Sequence, residues 1–442
     1  MYTNIYFIGI GGIGMSAIAR YYNAKGFKVS GYDKTPSPLT EALESEGIDV
    51  HYEDNISFIP KDVEETLVVY TPAIPKDMGE LIYVQEHGYR VIKRSQMLGE
   101  ITRGQRCMAV AGTHGKTTTS TLVSHLFADS GEGCSAFLGG ISKNYNSNLL
   151  TAPNDVVVVE ADEFDRSFLQ LYPEIAVITS MDADHLDIYG DEAHIRQAFK
   201  DFASQVSSRV IAKYGLDITS ADTKAEIKTY AYGNPSADFY AEILEDGHFN
   251  LHYPGGVIED CVVGIPGWVN IENATGAAAI ALSYGIAPEK IKEALASFSG
   301  VKRRFDLQVK RQDCVYIDDY AHHPEEISAA LSSIRNSYPQ MKMTVVFQPH
   351  LYTRTRDFAD GFAAALSKAD KLILLDIYPA REEPIPGVTS EIIFKDVTSP
   401  EKVLLKRSEL MDYLAGEEIE LLVTVGAGDI DRFVGPIAEM LK

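Results

Sequence analysis

The run Gly112-Thr113-His114-Gly115-Lys116-Thr117-Thr118-Thr119 limits the fold more than any other stretch of the chain. An apolar strand, 108–111, precedes it, and a helix, 117–130, follows with Leu122, Val123 and Leu126 on one face. Backbone N–H groups of such a loop cradle phosphates, Lys116 meets the β/γ end, and the Thr117 hydroxyl suits Mg²⁺. The full pattern wants Gly five positions before Gly115; Val110 stands there, so the loop is a shortened variant. Further apolar strands at 156–159, 175–179 and 210–212 alternate with helical segments. That alternation predicts an α/β fold with a mostly parallel sheet covered on both faces.

A second glycine loop opens the chain. Gly9-Ile10-Gly11-Gly12-Ile13-Gly14 satisfies G-x-G-x-x-G between a strand at 5–8 and a helix at 16–25, and the next strand, 27–32, ends at Asp33. This βαβ unit reads as a nucleotide-diphosphate site, with Asp33 placed for a ribose. The motif alone fits NAD and a UDP-sugar equally.

Acidic and polar clusters follow the strand ends. Glu160-Ala161-Asp162-Glu163 offers carboxylates in the ligand crevice, where one can complete a Mg²⁺ site. In Asp182-Ala183-Asp184-His185-Leu186-Asp187, His185 reads as a metal or phosphate contact. Asn270 and Asn273 precede or open an Ala-rich helix, 273–284; they suit an adenine edge, or Asn270 caps the helix. Arg303-Arg304 faces phosphates or solvent. The pattern then resets, with strands at 315–318, 343–347, 371–375 and 421–425 and helices at 324–336 and 356–366. Two clusters follow strand ends there. His322-His323 stands before Pro324; adjacent residues in a turn rarely reach one ion, so structural zinc is rejected. Arg354 and Arg356, after Gln348-Pro349-His350-Leu351, suit a carboxylate or phosphate.

Length and charge narrow the functional classes. At 442 residues, about three domains are expected. Polar stretches at 102–106 and 299–304 set limits of 1–104, 105–300 and 301–442. A net charge of −23 disfavours nucleic acid and anionic membranes, although backbone N–H groups still bind small anions. Four scattered cysteines (Cys107, Cys134, Cys261 and Cys314) read as reduced thiols. No basic leader and no long apolar run is present, so a cytoplasmic protein is expected.

Together these motifs resemble the Mur ligase family of ATP-dependent amide-forming enzymes of peptidoglycan precursor synthesis, over essentially the whole chain. The residues that carry the resemblance are 7–16, 112–119, 160–163 with Ser167-Phe168, 184–187, 318–324 and 378–382 with Pro384-Ile385. The resemblance implies three domains: an N-terminal Rossmann-like UDP-binding domain, a central P-loop ATPase-like domain and a C-terminal Rossmann-like domain. It implies joining of L-alanine to the carboxylate of UDP-N-acetylmuramate through an acyl phosphate, with ATP and Mg²⁺ or Mn²⁺, by a monomer or weak homodimer. Lys116, His185 and Arg304 would be catalytic. ATP would meet Gly112, Thr113, His114, Gly115, Lys116, Thr117, Thr118, Asn270, Asn273, Arg304 and Asp319. The UDP-substrate would meet Gly11, Gly12, Gly14, Asp33 and Thr71. His322, His323, Arg354 and Arg356 would hold the amino acid, and Thr117, Glu160 and His185 the metal. Related members commonly carry Arg where this chain has Leu351, which shifts the carboxylate contact toward Arg354 or Arg356. Lys200 is the nearby candidate for the carbamylated lysine that some members use. A tripeptide-recycling ligase, an NAD-dependent oxidoreductase and a nucleotide-binding switch are the competing readings.

Overall fold

The computed structural model describes residues 2–182, 186–380 and 382–442. Among them three α/β sheets follow one another along the chain. The first contains β1 (Asn4–Ile8), β2 (Lys28–Tyr32), β3 (Asp49–His51), β4 (Thr66–Tyr70) and β5 (Arg90–Lys93), all parallel, in the order β3-β2-β1-β4-β5. The order reverses between β1 and β4, so the crevice beyond their carboxyl ends is the natural ligand position. The glycine loop leaves β1 there, and Thr71 leaves β4.

The second sheet is built from β6 (Arg106–Ala111), β7 (Ser135–Ser142), β8 (Ser147–Leu150), β9 (Val156–Ala161), β10 (Ile175–Ile178), β11 (Arg209–Lys213), β12 (Glu226–Tyr232), β13 (Phe239–Ile243), β14 (Phe249–Tyr253) and β15 (Gly256–Cys261). Their order is β15-β14-β13-β12-β11-β10-β6-β9-β7-β8, parallel from β7 to β13 and antiparallel at both ends. Its central strands are apolar runs, Val156 to Val159 and Ile175 to Ile178, buried along their length. That is the pattern of strands covered on both faces. The phosphate loop leaves the central strand β6, between the ends of β9 and β10.

The third sheet contains β16 (Asp306–Lys310), β17 (Val315–Asp319), β18 (Met343–Phe347), β19 (Lys371–Leu375), β20 (Glu401–Leu405) and β21 (Leu421–Val425). The order is β16-β17-β21-β18-β19-β20, with only the β16 pairing antiparallel. The backbone divides into two compact units: residues 1–264 with 272–299, which holds the first two sheets, and 265–271 with 300–442, which holds the third.

Several expected elements move. The helix expected over 273–284 starts at Trp268, because Gly267 turns the chain at φ +105° just before it. Asn270 is therefore inside the first turn and not its cap. The helix expected over 356–366 is two, Tyr352–Asp357 and Ala359–Leu366, interrupted at Phe358 with φ −120°. Glu160 and Asp319 are the last or next-to-last residues of strands and not loop residues.

Candidate active site

The phosphate loop is shaped by two glycines. Gly112 has φ +138°, and a Cβ there would come within 2.9 Å of the Ser180 backbone nitrogen and closer still to the Thr179 hydroxyl. Gly115 has φ +80° and precedes the helix Lys116–Asp129. Both conformations disfavour any residue with a Cβ. The strand-end segment after β10 supports the loop: Ser180 Oγ accepts from the His114 N–H at 2.8 Å and meets Thr113 Oγ1 at 2.8 Å. Asn273 stands beside the loop, its Oδ1 2.9 Å from where a Gly115 Cβ would lie. Thr118 is buried in the first turn of the helix.

Lys116 lies almost inside the protein. Its Nζ donates to the Gly112 carbonyl at 2.7 Å, and the two Glu163 oxygens lie 2.9 and 2.8 Å away. Glu163 is 1% exposed. Burial pulls the Lys116 ammonium down, but Glu163, Asp162 and Glu160 outweigh it and hold the ammonium above its ordinary range. Burial pushes the Glu163 carboxyl up against the pull of Lys116. Next to this pair, Thr117 Oγ1 donates to Glu160 Oε1 at 3.0 Å, and the Gly139 N–H donates to Glu160 Oε2 at 3.1 Å. A hydroxyl and a carboxylate at that spacing are hard oxygen donors of the kind Mg²⁺ takes.

The first glycine loop faces the same carboxylate. A cleft of about 330 Å³ is lined by Gly12, Gly14, Thr71 and Arg94 on one side and by Gly139, Glu160 and Asp162 on the other. Within the loop, the N–H groups of Gly9 and Ile10 bond to the Tyr32 carbonyl and that of Gly12 to the Gly9 carbonyl. Asp33 accepts from the Gly11 N–H at 2.7 Å and the Lys34 N–H at 2.8 Å. Arg94 projects into the cleft beside Gly14, where a Cβ would lie 3.0 Å from Nη1, and Nη2 pairs with Asp162 at 3.0 Å. Gly14 thus makes room for a guanidinium.

In the second unit, Asp319 is buried and its carboxylate accepts from the N–H groups of Phe305 and Ala321, each at 2.8 Å. Burial pushes it up to about 6, against the pull of Arg304 and those two N–H groups. Arg304 lies over the Tyr320 ring at 5.1 Å. His322 Nδ1 donates to the Tyr320 carbonyl at 3.0 Å, with Glu326 Oε2 at 3.5 Å. Burial lowers the affinity of its imidazole for a proton; Glu326 opposes this and Arg354 adds to it. His323 is buried against Phe358, with ring centroids 4.7 Å apart. Arg354 is half-buried, whereas Arg356 is exposed and pairs with Asp357 at 2.6 Å. Leu351 holds φ +70°, an uncommon backbone for a residue with a Cβ. Asn270 is buried, its amide donating to the Pro266 carbonyl at 2.5 Å.

Models of three domains match the chain in this order: "Mur ligase family, catalytic domain" over residues 4–106, "Mur ligase middle domain" over 110–281 and "Mur ligase, glutamate ligase domain" over 303–428. The chain belongs to the Mur ligase family. It is 52% identical to a UDP-N-acetylmuramate–L-alanine ligase of Parabacteroides distasonis, over 99% of this chain and 97% of that protein. It is 50% identical to the ligase of the same name from Porphyromonas gingivalis, over 99% of both. Among solved structures, the UDP-N-acetylmuramate-alanine ligase of Thermotoga maritima superposes with a TM-score of 0.84 at 26% identity, covering 99% of this chain and 98% of that one. A murein peptide ligase of Psychrobacter arcticus, 22% identical with a TM-score of 0.73, shares the fold.

For a Mur ligase, the structure gathers Gly112 to Thr118, Glu160 and Asn273 around one loop, and Gly12, Gly14 and Thr71 across one cleft from Glu160. His185 lies outside the described residues. Lys200 is not at this loop: it sits on the helix Glu192–Ser204 and pairs with Asp217 at 2.8 Å and Asp222 at 3.7 Å. The Asp217 hydrogen bond raises its affinity for a proton. A carbamate forms on a neutral amine, so this pairing opposes one. Sequence reasoning passed over Arg94, Gly139 and Ser180. Arg94 follows the end of β5, a position that in a parallel sheet faces the ligand crevice and could have drawn attention.

Proposed function

We propose that the chain joins L-alanine to the carboxylate of UDP-N-acetylmuramate, with ATP converted to ADP and phosphate. The observation that supports this reading most is the position of Glu160. It lines the cleft of the first glycine loop, fit for a sugar-nucleotide diphosphate, and accepts from Thr117 of the loop fit for ATP. An oxidoreductase would not need the second loop, and a nucleotide switch would not need the first.

In this reading the UDP-substrate meets Gly11, Gly12, Gly14, Asp33 and Thr71, with Arg94 offsetting its negative charge beside Glu160 and Asp162. Gly112 to Thr118 cradle the ATP phosphates. Lys116 leaves Glu163 to meet the transferring phosphoryl group, where a fixed cation in a water-poor site lowers the barrier. Thr117 and Glu160 fit a divalent cation, and His185 is assigned to it with them; the ion would supply charge neutralisation for the phosphoryl transfer. The γ-phosphoryl group passes to that carboxylate. The resulting acyl phosphate is attacked by the neutral α-amine of alanine, and phosphate leaves.

Asn270 and Asn273 are assigned to adenine, Asp319 to ribose and Arg304 to phosphate. Arg354 is assigned to the amino-acid carboxylate, in preference to Arg356, whose charge is already met by Asp357. His323 stays with the amino acid. His322 is depressed by burial and therefore neutral at pH 7, the form that accepts the amine proton. Domain limits of 1–104, 105–300 and 301–442 complete the proposal. Steady-state phosphate release with each substrate omitted in turn tests it.

A further inference from the structure

Asn148 stands on β8, outside both phosphate-binding loops, and its side chain is fully buried. Its Nδ2 donates to the Ile13 carbonyl at 2.7 Å and to Ser16 Oγ at 2.9 Å. Its Oδ1 accepts from Arg20 Nη1 at 2.9 Å. Ile13 and Ser16 form the first turn of the helix Ile13–Ala24, into which the glycine loop runs. Arg20, farther along that helix, also holds Glu46. A carboxamide offers donors and an acceptor at once, which these three partners require.

The hairpin that carries Asn148 also reaches the other loop. Its first strand, β7, contains Gly139, whose N–H bonds to Glu160 at 3.1 Å. β7 pairs in parallel with β9, the strand of Glu160, through Ser135↔Val157, Ala136↔Val158 and Phe137↔Val159. On its other side Phe137 packs edge-on against Tyr21 of the glycine-loop helix, with centroids 5.1 Å apart. One hairpin therefore grips the helix behind the diphosphate loop and the carboxylate beside Thr117.

We infer that Asn148 is a positioning residue that sets the span between the diphosphate loop and the phosphoryl-transfer centre. The inference rests on the function proposed above. The substrate is held at its diphosphate and reacts at its carboxylate, so any change in that span displaces the carboxylate from the γ-phosphate. A displacement of about 1 Å costs on the order of 100-fold in rate. Asn148 touches the first loop at its helix end, Ile13, so binding of either nucleotide alone is expected to change little.

Asn148→Asp is the test. It keeps shape and the acceptor for Arg20, removes both donors and sets a carboxylate against the Ile13 carbonyl. Ser16→Ala, which removes one partner only, is the milder companion and carries the test alone if the first variant does not fold. Calorimetry gives Kd for UDP-N-acetylmuramate and, separately, for ATP; phosphate release gives kcat and KM. The expected result is a kcat at least about tenfold lower in Asn148→Asp and about two- to fivefold lower in Ser16→Ala, with both Kd values within about threefold of wild type. A lowered thermal midpoint with unchanged kcat in both variants would overturn the inference, leaving Asn148 a packing residue. So would a rise in KM for the sugar nucleotide at constant kcat, which would make Asn148 part of the binding loop. Wild-type protein that binds both nucleotides yet ligates nothing would overturn the functional reading itself, and this inference with it.

Discussion

Replacing Lys116 by Met separates what the lysine does for stability from what it does for chemistry. Met keeps the aliphatic length and removes the cation. Glu163, 1% exposed and held by Nζ through both oxygens, is then buried without its counter-charge. Removing one partner of a buried pair costs roughly 3–5 kcal/mol while the other stays charged. Glu163 has an escape, because it can take up a proton. Burial already pushes its carboxyl up, and loss of Lys116 removes the main opposing influence. A folded-state pKa raised above the unfolded value means the folded chain holds that proton more tightly. The stabilising contribution is complete below the unfolded pKa near ~4.3 and is lost as pH rises through the folded one. The loss is about 1.4 kcal/mol per pH unit in that window. Lys116→Met should therefore sit closest to wild type near pH ~4 and fall progressively below it as pH rises from there. Thermal unfolding of both proteins across that range measures the gap. Adding Glu163→Gln should close the gap and flatten it, because a neutral amide replaces the buried charge. Neither variant should ligate, with kcat below a tenth of wild type, a barrier change above ~1.4 kcal/mol. Binding of UDP-N-acetylmuramate should be nearly intact. A gap that ignores pH, or a double variant as unstable as the single one, would refute the reasoning.

Arg94→Ala removes the cleft's guanidinium and should raise KM for UDP-N-acetylmuramate at least about tenfold, with KM for ATP within about twofold; equal effects on both would move Arg94 out of the sugar-nucleotide site. Arg354→Lys should raise KM for L-alanine about tenfold and leave ATP unchanged, since a lysine cannot copy a bidentate carboxylate contact; unchanged alanine kinetics would return the carboxylate to other residues. Asp319, pushed up to about 6 by burial, makes stability fall between pH ~4 and ~6 by up to about 3 kcal/mol, and Asp319→Asn should flatten that part of a urea-unfolding profile against pH. An unaltered profile would contradict the shift. NADH should not bind in competition with UDP-N-acetylmuramate, and tight NADH binding that the sugar nucleotide cannot displace would count for an oxidoreductase.

Much of this was legible where local pattern and long-range structure agree. The two glycine loops stand after β1 and β6 as expected, and β18, β19 and β21 have the expected limits. Those strands are apolar runs in parallel sheets, whose burial is written into every residue. The strands β12 to β15 were not read, because Glu226 to Cys261 mixes exposed polar residues with single buried positions. Of these, β14 and β15 pair only antiparallel at the sheet's edge, where one face is solvated and no continuous apolar run is needed. The site divides in the same way. Lys116, Thr117 and Glu160 were identified by motif. Glu163 was read only as a loop carboxylate, and its burial beneath Lys116 depends on a 3-10 turn with Asp165 and Arg166 at positive φ. Arg94 and Asn148 act through residues 68 and 135 positions away, and no local spacing encodes such pairs.

The most direct measurement is phosphate release from ATP and Mg²⁺ with UDP-N-acetylmuramate and with amino acids supplied one at a time. Release is expected only when both the sugar nucleotide and an amino acid are present, fastest with L-alanine, with one phosphate for each UDP-N-acetylmuramoyl-alanine formed. Release that persists without the sugar nucleotide, or that requires an alanyl peptide in place of alanine, would contradict it.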